Sequence, residues 1–408
     1  MNMLDPSNGL IESAKSTVSI SLDSQPSCCE FAKSHNILVV GTYSLESGQI
    51  NGQETSHDAT DTERETPAQN RTGSILVFHI TKQRANLLQT KALPYALLDL
   101  HFSPRNPSIF AVATSVGSVS LFSLDFARDS NLMFIRSVQV CDSSILVLSL
   151  AYQVQDSIRG SPLIAVSLSN GHLAVFDEEQ DEQDIVTFPV HSQEAWTVTW
   201  SKAPEGIPAS PGSLYSGGDD SILCKHIAMF PHRIDEREAG IDQYQSLSRD
   251  SKTHGAGVTA IVVLPISQGG REILLTGSYD EYIRVVALPL HGRGRADILV
   301  EKHLGGGVWR ISSPFAQITA NGDSTNFKVL ASCMHAGARI LDIQAALGIW
   351  SIKVLAMFTE HESMNYASDI LPNEENDMFV STSFYDRKLC IWNISGASSL
   401  SSDVQQRP

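Results

Sequence analysis

One pattern recurs through the second half of this chain: a buried β-stretch, a tight polar turn, then a β-stretch alternating polar and apolar residues. It reads SLYSGGDDSILCKHI at Ser213–Ile227 and EILLTGSYDEYIRVVAL at Glu272–Leu288. It returns as VLASCMHAGARILDI at Val329–Ile343 and MFVSTSFYDRKLCIWNI at Met378–Ile394. Self-similarity at a period of several tens of residues means an array of like supersecondary units, each unable to bury its apolar face alone. Working outward adds three units: Asn36–Tyr43 with Gly73–Ile80, then Ile109–Leu124, then Pro162–Asp177. Aligning the turns makes Phe78, Phe122, Phe176, His226, Val286, Leu341 and Trp392 equivalent, spaced roughly 45 to 60 residues apart.

A further strand precedes each unit after the first, at Ala96–Phe102, Ser144–Tyr152, Ala195–Ser201, Gly257–Leu264, Val308–Ser312 and Tyr366–Leu371. β-Branched alternation, Gly/Asn/Asp turns and the absence of a helical period predict an all-β fold. Seven four-stranded units fit a seven-bladed β-propeller, which leaves only short protected edges. The spare stretch Thr17–Leu22 is expected to be the outermost strand of the last blade, closing the ring. Residues 1–16 then form an N-terminal extension, 17–395 the propeller and 396–408 a flexible tail. Glu46–Thr72, Glu178–Gln183 and Met229–Asp250 read as excursions from the blades, and the polar, acidic composition of 46–72 predicts a disordered insertion in blade 1.

A formal charge of −16 over 408 residues argues against a nucleic-acid binder, which needs a basic face for phosphates. It suits a cationic ligand or a basic protein surface. Six cysteines, at 28, 29, 141, 224, 333 and 390, show neither CxxC pairing nor zinc spacing, so no disulfide framework and no metal is expected. No apolar run has the length of a membrane span and no leader is visible, so the expectation is a cytoplasmic protein without a membrane partner.

The residues resemble the WD-repeat superfamily. His254 and Val258 have the His-x-x-x-Val spacing, and His191, His303 and His361 sit in similar pre-strand positions. Ser278-Tyr279-Asp280, and Asp386 with Trp392, supply the turn and strand elements. One branch fits more closely. GTYSLE at Gly41–Glu46, HGAGV at His254–Val258, GSYDE at Gly277–Glu281 and LGGGVWR at Leu304–Arg310 are similar to the diphthine methylesterase family. CMHAG at Cys333–Gly337, EHESMNY at Glu360–Tyr366 and SFYD at Ser383–Asp386 continue that likeness in order. The resemblance implies hydrolysis of the methyl ester on the methylated diphthine of translation elongation factor 2, with release of methanol and no cofactor. The chain departs from the family's Trp-Asp-x-Arg-like endings at Lys225–Ala228 and Val285–Leu288.

Ester hydrolysis needs a nucleophile, a proton shuttle and oxyanion stabilisation. Gly-x-Ser-x-Gly, the P-loop and HExxH are all absent, so any catalytic machinery is atypical. Propeller geometry brings pre-strand loops and second-to-third-strand turns to one face. His361 is the first candidate base, oriented by Asp386 or Glu360 and acting on water or on Ser363; in WD repeats such a His/Asp pair, like His254 with Asp280, more commonly holds its own blade shut. His335, lying in a turn, stands outside that structural scheme. Three glycines before Arg310 suit backbone approach to a ligand, with Arg310 as an oxyanion or carboxylate donor. The implied substrate carries a quaternary ammonium, for which Tyr43, Tyr279, Trp309, Tyr366 and Tyr385 are aromatic candidates and Glu281 an acidic one. The alternative is a non-catalytic WD-repeat scaffold, the common use of such a ring.

Overall fold

In this computed structural model, residues 4–5, 9–32, 35–46, 70–126, 131–153, 162–179, 185–202, 212–228, 244–312, 315–318, 324–371 and 378–394 are described. The tail from Gly396, and most of the Glu46–Thr72 insertion, lie outside them. What is described of that insertion is its root, where Ser44–Glu46 pairs with the start of Asn70–Thr81.

Strands pair with their sequence neighbours, always antiparallel within a blade, as short polar turns dictate. Blade 1 comprises Pro26–Ala32, Ile37–Thr42, Asn70–Thr81 and Arg84–Leu93. Blade 2 runs from Leu97–Phe102 to Asn131–Gln139, and blade 3 from Val147–Tyr152 to Val186–Pro189. Blade 4 ends in Tyr244–Asp250, so the final part of the expected Met229–Asp250 excursion is a blade strand. Blade 5 spans Val258–Gln268 to Asp297–His303, and blade 6 Arg310–Ile311 to Ile349–Phe358. Blade 7 takes three strands, Ser368–Leu371, Met378–Ser383 and Lys388–Asn393, from the end of the chain. Its outermost strand is Glu12–Ser21, which pairs antiparallel with Lys388–Asn393. The architecture is the seven-bladed WD-repeat propeller that the repeats predict, closed by an N-terminal strand that begins upstream of Thr17. That strand also pairs in parallel with the outer strand of blade 6 over Glu12–Ala14, fusing blades 6 and 7 into one sheet.

Two recurrent irregularities matter for function. In six blades the third and fourth strands slip register by one residue directly beside Phe78, Phe122, His226, Val286, Leu341 and Trp392. The aligned positions are therefore equivalent in three dimensions, and all are buried. In blades 1 to 5 the innermost strand carries a bulge near its start, leaving Ser27, Leu98, Leu148, Trp196 and Thr259 unpaired with the neighbouring strand. A bulge re-aims a side chain that strict alternation would bury. Close contact between blades is set by glycine: a Cβ on Gly277 would meet Val308 Cγ1 at 2.6 Å, and one on Gly217 would meet Val258 Cγ1 at 2.6 Å.

Candidate functional site

The second-to-third-strand turns share one hydrogen bond, from the fourth residue's N–H to the first residue's carbonyl. It recurs at Gly171→Leu168, Ser221→Gly218, Glu281→Ser278, Gly337→Met334 and Arg387→Phe384. The fourth residue has positive φ in each turn, between 54° and 81°. This register makes Ser169, Asp219, Tyr279, His335 and Tyr385 the same turn position in five successive blades. Four expected or newly found site residues thus share one geometric slot around the rim.

Around that slot lies a continuous run of aromatic rings. Trp196 meets Trp309 at 5.5 Å between centroids and Tyr279 at 6.1 Å, and Tyr279 meets Trp309 at 5.8 Å. Trp309 continues to Tyr366 at 5.1 Å, Tyr366 to Phe384 at 5.4 Å, and Phe384 to Tyr385 at 5.0 Å and Tyr43 at 6.2 Å. All five aromatic candidates from the sequence belong to this run, which crosses blades 4, 5, 6, 7 and 1. Trp196 and Phe384 were not foreseen. Trp196 reads as a core residue of AWTVTW, and only the bulge turns it outward.

Beside the rings the LGGGVWR loop packs on the turn that carries His335. A Cβ on Gly306 would lie 2.3 Å from the Cys333 carbonyl oxygen, and one on Gly307 would lie 2.7 Å from Met334 Sδ and 3.4 Å from Tyr279 Cδ1. Such approaches are open only to glycine. Leu304, Val308 and Trp309 donate their N–H groups to Glu281, Ser278 and Ser332. The Gly305, Gly306 and Gly307 amides donate to no group among the described residues. His335 is exposed and makes no side-chain hydrogen bond among those residues.

Other candidates are placed elsewhere. His361 is buried, its Nε2 lying 2.7 Å from Ser381 Oγ, to which Trp392 Nε1 donates at 3.1 Å. Burial pushes its pKa down to about 4, against the opposing charge of Asp386. Blade 4 repeats the arrangement: His191 Nε2 lies 2.9 Å from Ser216 Oγ, with His226 in the Trp392 place at 3.4 Å from the same hydroxyl. In blade 5 His254 Nε2 meets Thr276 Oγ1 at 2.9 Å. These three histidines each hold a hydroxyl of their own blade, and that bond occupies His361 Nε2. Asp386 accepts from the Glu362 N–H at 3.3 Å and bridges to Lys388. Ser363 Oγ accepts the Tyr385 N–H at 3.0 Å, bracing the turn. Glu360 clasps the closing strand, accepting the Ser16 N–H at 3.0 Å and pairing with Lys15 at 3.3 Å. Glu281 pairs with His303 at 2.8 Å instead of facing the rings.

Arg310 crosses the ring. From the innermost strand of blade 6 it grips Asp99 of blade 2 with both terminal nitrogens, at 3.3 and 3.0 Å. Asp99 also accepts the Leu100 and Leu150 N–H groups at 3.0 Å each. His101 lies 3.6 Å from Asp99 and 2.6 Å from Glu30. Burial opposes charge on both Asp99 and His101. Arg310 and His101 nevertheless hold the Asp99 carboxyl well below its usual range, while Asp99 and Glu30 raise His101 to about 10. Arg310 is thus committed to a strut across the channel, with no free fork for an oxyanion.

No group of three or more His, Cys, Asp or Glu among the described residues could hold a metal ion. None of their helices is long and apolar enough to cross a membrane. No family model matches the chain. Among proteins of assigned function, it is 33% identical over 300 residues to the diphthine methyltransferase of Schizosaccharomyces pombe, covering 73% of this chain and 78% of that one. The Saccharomyces cerevisiae protein of the same name is 23% identical over 416 residues, covering 90% of this chain and 95% of its own length. The Homo sapiens protein of that name is 29% identical over 285 residues, which cover 67% of this chain and 55% of the human one. In three dimensions, a chain in a crystal structure of the mitotic checkpoint complex superimposes with a TM-score of 0.57 at 12% identity, covering 97% of this chain and 95% of that one. That last likeness concerns the fold alone.

Proposed function

The chain belongs to the diphthine methyltransferase family, and from that premise we propose that it hydrolyses the methyl ester of methylated diphthine on translation elongation factor 2. The relatives' name is set aside in favour of ester hydrolysis, in which the methyl group departs with its own oxygen. Water adds to the ester carbonyl, the acyl–oxygen bond breaks, and a carboxylate and methanol leave. The observation that carries this reading is the juxtaposition at one mouth of an uncommitted histidine, uncommitted glycine amides and the aromatic run.

Each takes one role. His335 accepts a proton from the attacking water and returns it to the departing methoxide, the work of a general acid–base side chain. The Gly305–Gly307 amides face the oxygen that gains charge, replacing Arg310 in that role. The aromatic run receives the quaternary ammonium. Centroid separations of 5.1 to 6.1 Å among Trp196, Tyr279, Trp309 and Tyr366 leave no room for a cation between these rings. The ammonium therefore rests on their solvent side.

The test incubates purified protein with elongation factor 2 bearing methylated diphthine and follows loss of one methylene mass by mass spectrometry. Turnover is expected in the native protein and a fall of about 10²–10⁴-fold in His335→Ala. No mass loss at stoichiometric protein refutes the esterase. The non-catalytic scaffold reading has one observation in its favour: Leu87, Leu88, Met133, Phe134 and Ile135 are exposed on the outer strands of blades 1 and 2. Apolar rims of this kind are common at protein-binding surfaces.

A further inference from the structure

Two carboxylates adjoin the blade 4 and blade 5 end of the aromatic run. Asp219 occupies the shared turn slot, and its Oδ1 accepts the Trp196 indole N–H at 2.9 Å. Its own N–H donates to the Glu194 carbonyl at 2.8 Å, tying it to the residue two before Trp196. Both acids are half-buried, and neither forms an ion pair among the described residues. Gly257 makes the arrangement possible: a Cβ there would lie 2.8 Å from Asp219 Oδ1 and 2.9 Å from Tyr279 Cδ2. Burial, then the charges of Asp219, Tyr366 and Glu194, push the Tyr279 phenol up. The carboxylates therefore bear on the rings electrostatically as well as in sequence.

A half-buried carboxylate without a counter-charge is costly, and the cost is offset when a cation arrives. Ring faces attract the same cation through their quadrupoles. Arg310, next in sequence to Trp309, is paired with Asp99 and with neither of these carboxylates. We propose that Asp219, supported by Glu194, is the specificity determinant that makes this end of the mouth select a fully alkylated ammonium over a neutral group of equal shape. Trp196 is its partner, held at a fixed angle by the indole hydrogen bond. The inference rests on reading the mouth as the substrate site, but it concerns binding and not bond cleavage.

The probes are choline and its neutral isostere 3,3-dimethyl-1-butanol, compared on the intact chain by saturation-transfer NMR of their methyl protons. Native protein is expected to prefer choline by about tenfold, a preference that shrinks as salt screens the carboxylates. Asp219→Asn keeps an oxygen to accept the Trp196 N–H while removing the charge, and is expected to abolish most of the preference. Glu194→Gln should reduce it less. Equal binding of the two probes by native protein, no binding of either, or a full preference surviving in the Asp219→Asn/Glu194→Gln double variant would each overturn the proposal. Choline preference without ester hydrolysis defeats the esterase and leaves this inference standing; hydrolysis without the preference does the reverse.

Discussion

The fully buried Lys225 offers the sharpest test of how adjacent blades are locked together. Its ammonium donates to the Glu272 carboxylate across the blade 4–blade 5 boundary, and to the Pro289 and Leu290 carbonyls at 2.7 and 3.1 Å. The Tyr215 hydroxyl donates to the same carboxylate. Lys225 and Glu272 side chains are 1% and 9% exposed, so all three ammonium donors are satisfied in a dry place. Lys225→Met keeps the stem and removes the charge. Glu272 is then buried with one hydroxyl for a partner, and two carbonyls lose their donor. Breaking a buried pair from one side costs about 3–5 kcal/mol. Unfolding entropy near 2.1 cal/mol/K per residue, over roughly 400 residues, turns this into a melting-point drop of about 4–6 °C. Calorimetry should show that drop in the single variant. Adding Glu272→Gln removes the stranded charge while keeping an acceptor for Tyr215, so the double variant should regain at least half of the loss. A single variant within about 1 °C of native, or a double variant below the single, refutes the reasoning.

Three further outcomes follow from the same physics. Burial depresses His226 to about 3 and His254 and His361 to about 4; the unfolded chain then binds more protons between pH 6.5 and that range, so stability should fall as pH drops through this window. Acid titration by circular dichroism checks it, and replacing all three histidines by Gln should flatten the slope. His101, raised to about 10, has the opposite sign: its contribution is full below about pH 6.5 and is lost as pH rises to about 10, so native minus His101→Gln stability should shrink over that interval. Glu360→Ala releases Ser16 and Lys15 and should cost about 1–3 kcal/mol, read as a lower melting point and faster proteolysis before Leu22.

Sequence periodicity made the seven blades legible because each strand pairs with its neighbour in the chain, so local alternation and turn chemistry suffice. The closing strand was legible for the same reason, as a β-pattern left without a partner. What sequence could not show were contacts fixed by ring closure. Asp99 and Arg310 lie 211 residues apart, and Glu360 meets Ser16 across 344, so a reading by neighbourhood assigned Glu360 and Arg310 to chemistry. The His361–Asp386 spacing suggests a pair, yet no hydrogen bond or ion pair joins the two side chains: His361 Nε2 meets Ser381 while Asp386 takes the Glu362 N–H and Lys388, contacts that spacing alone does not reveal. Lys225 and His226, departures from the expected strand ending, prove to be an inter-blade ion pair and a stand-in for tryptophan. Trp196 stayed hidden because register, not residue order, determines which way a bulged side chain points.

The strand Glu12–Ser21 imposes an order of events on biosynthesis. Lys15 must find Asn393, so at about 5–20 residues per second the early segment waits on the order of 20 to 75 s after emerging from the ribosome. Throughout that interval Glu12–Ser21 is itself a strand without a partner, and once Ile349–Phe358 is made the outer edge of blade 6 is bare too, each a template for the wrong partner. Because one segment caps both edges, the late emergence of Lys388–Asn393 sets when the clasp can shut, and nascent chains stalled before then are the species most exposed to chaperones and to aggregation.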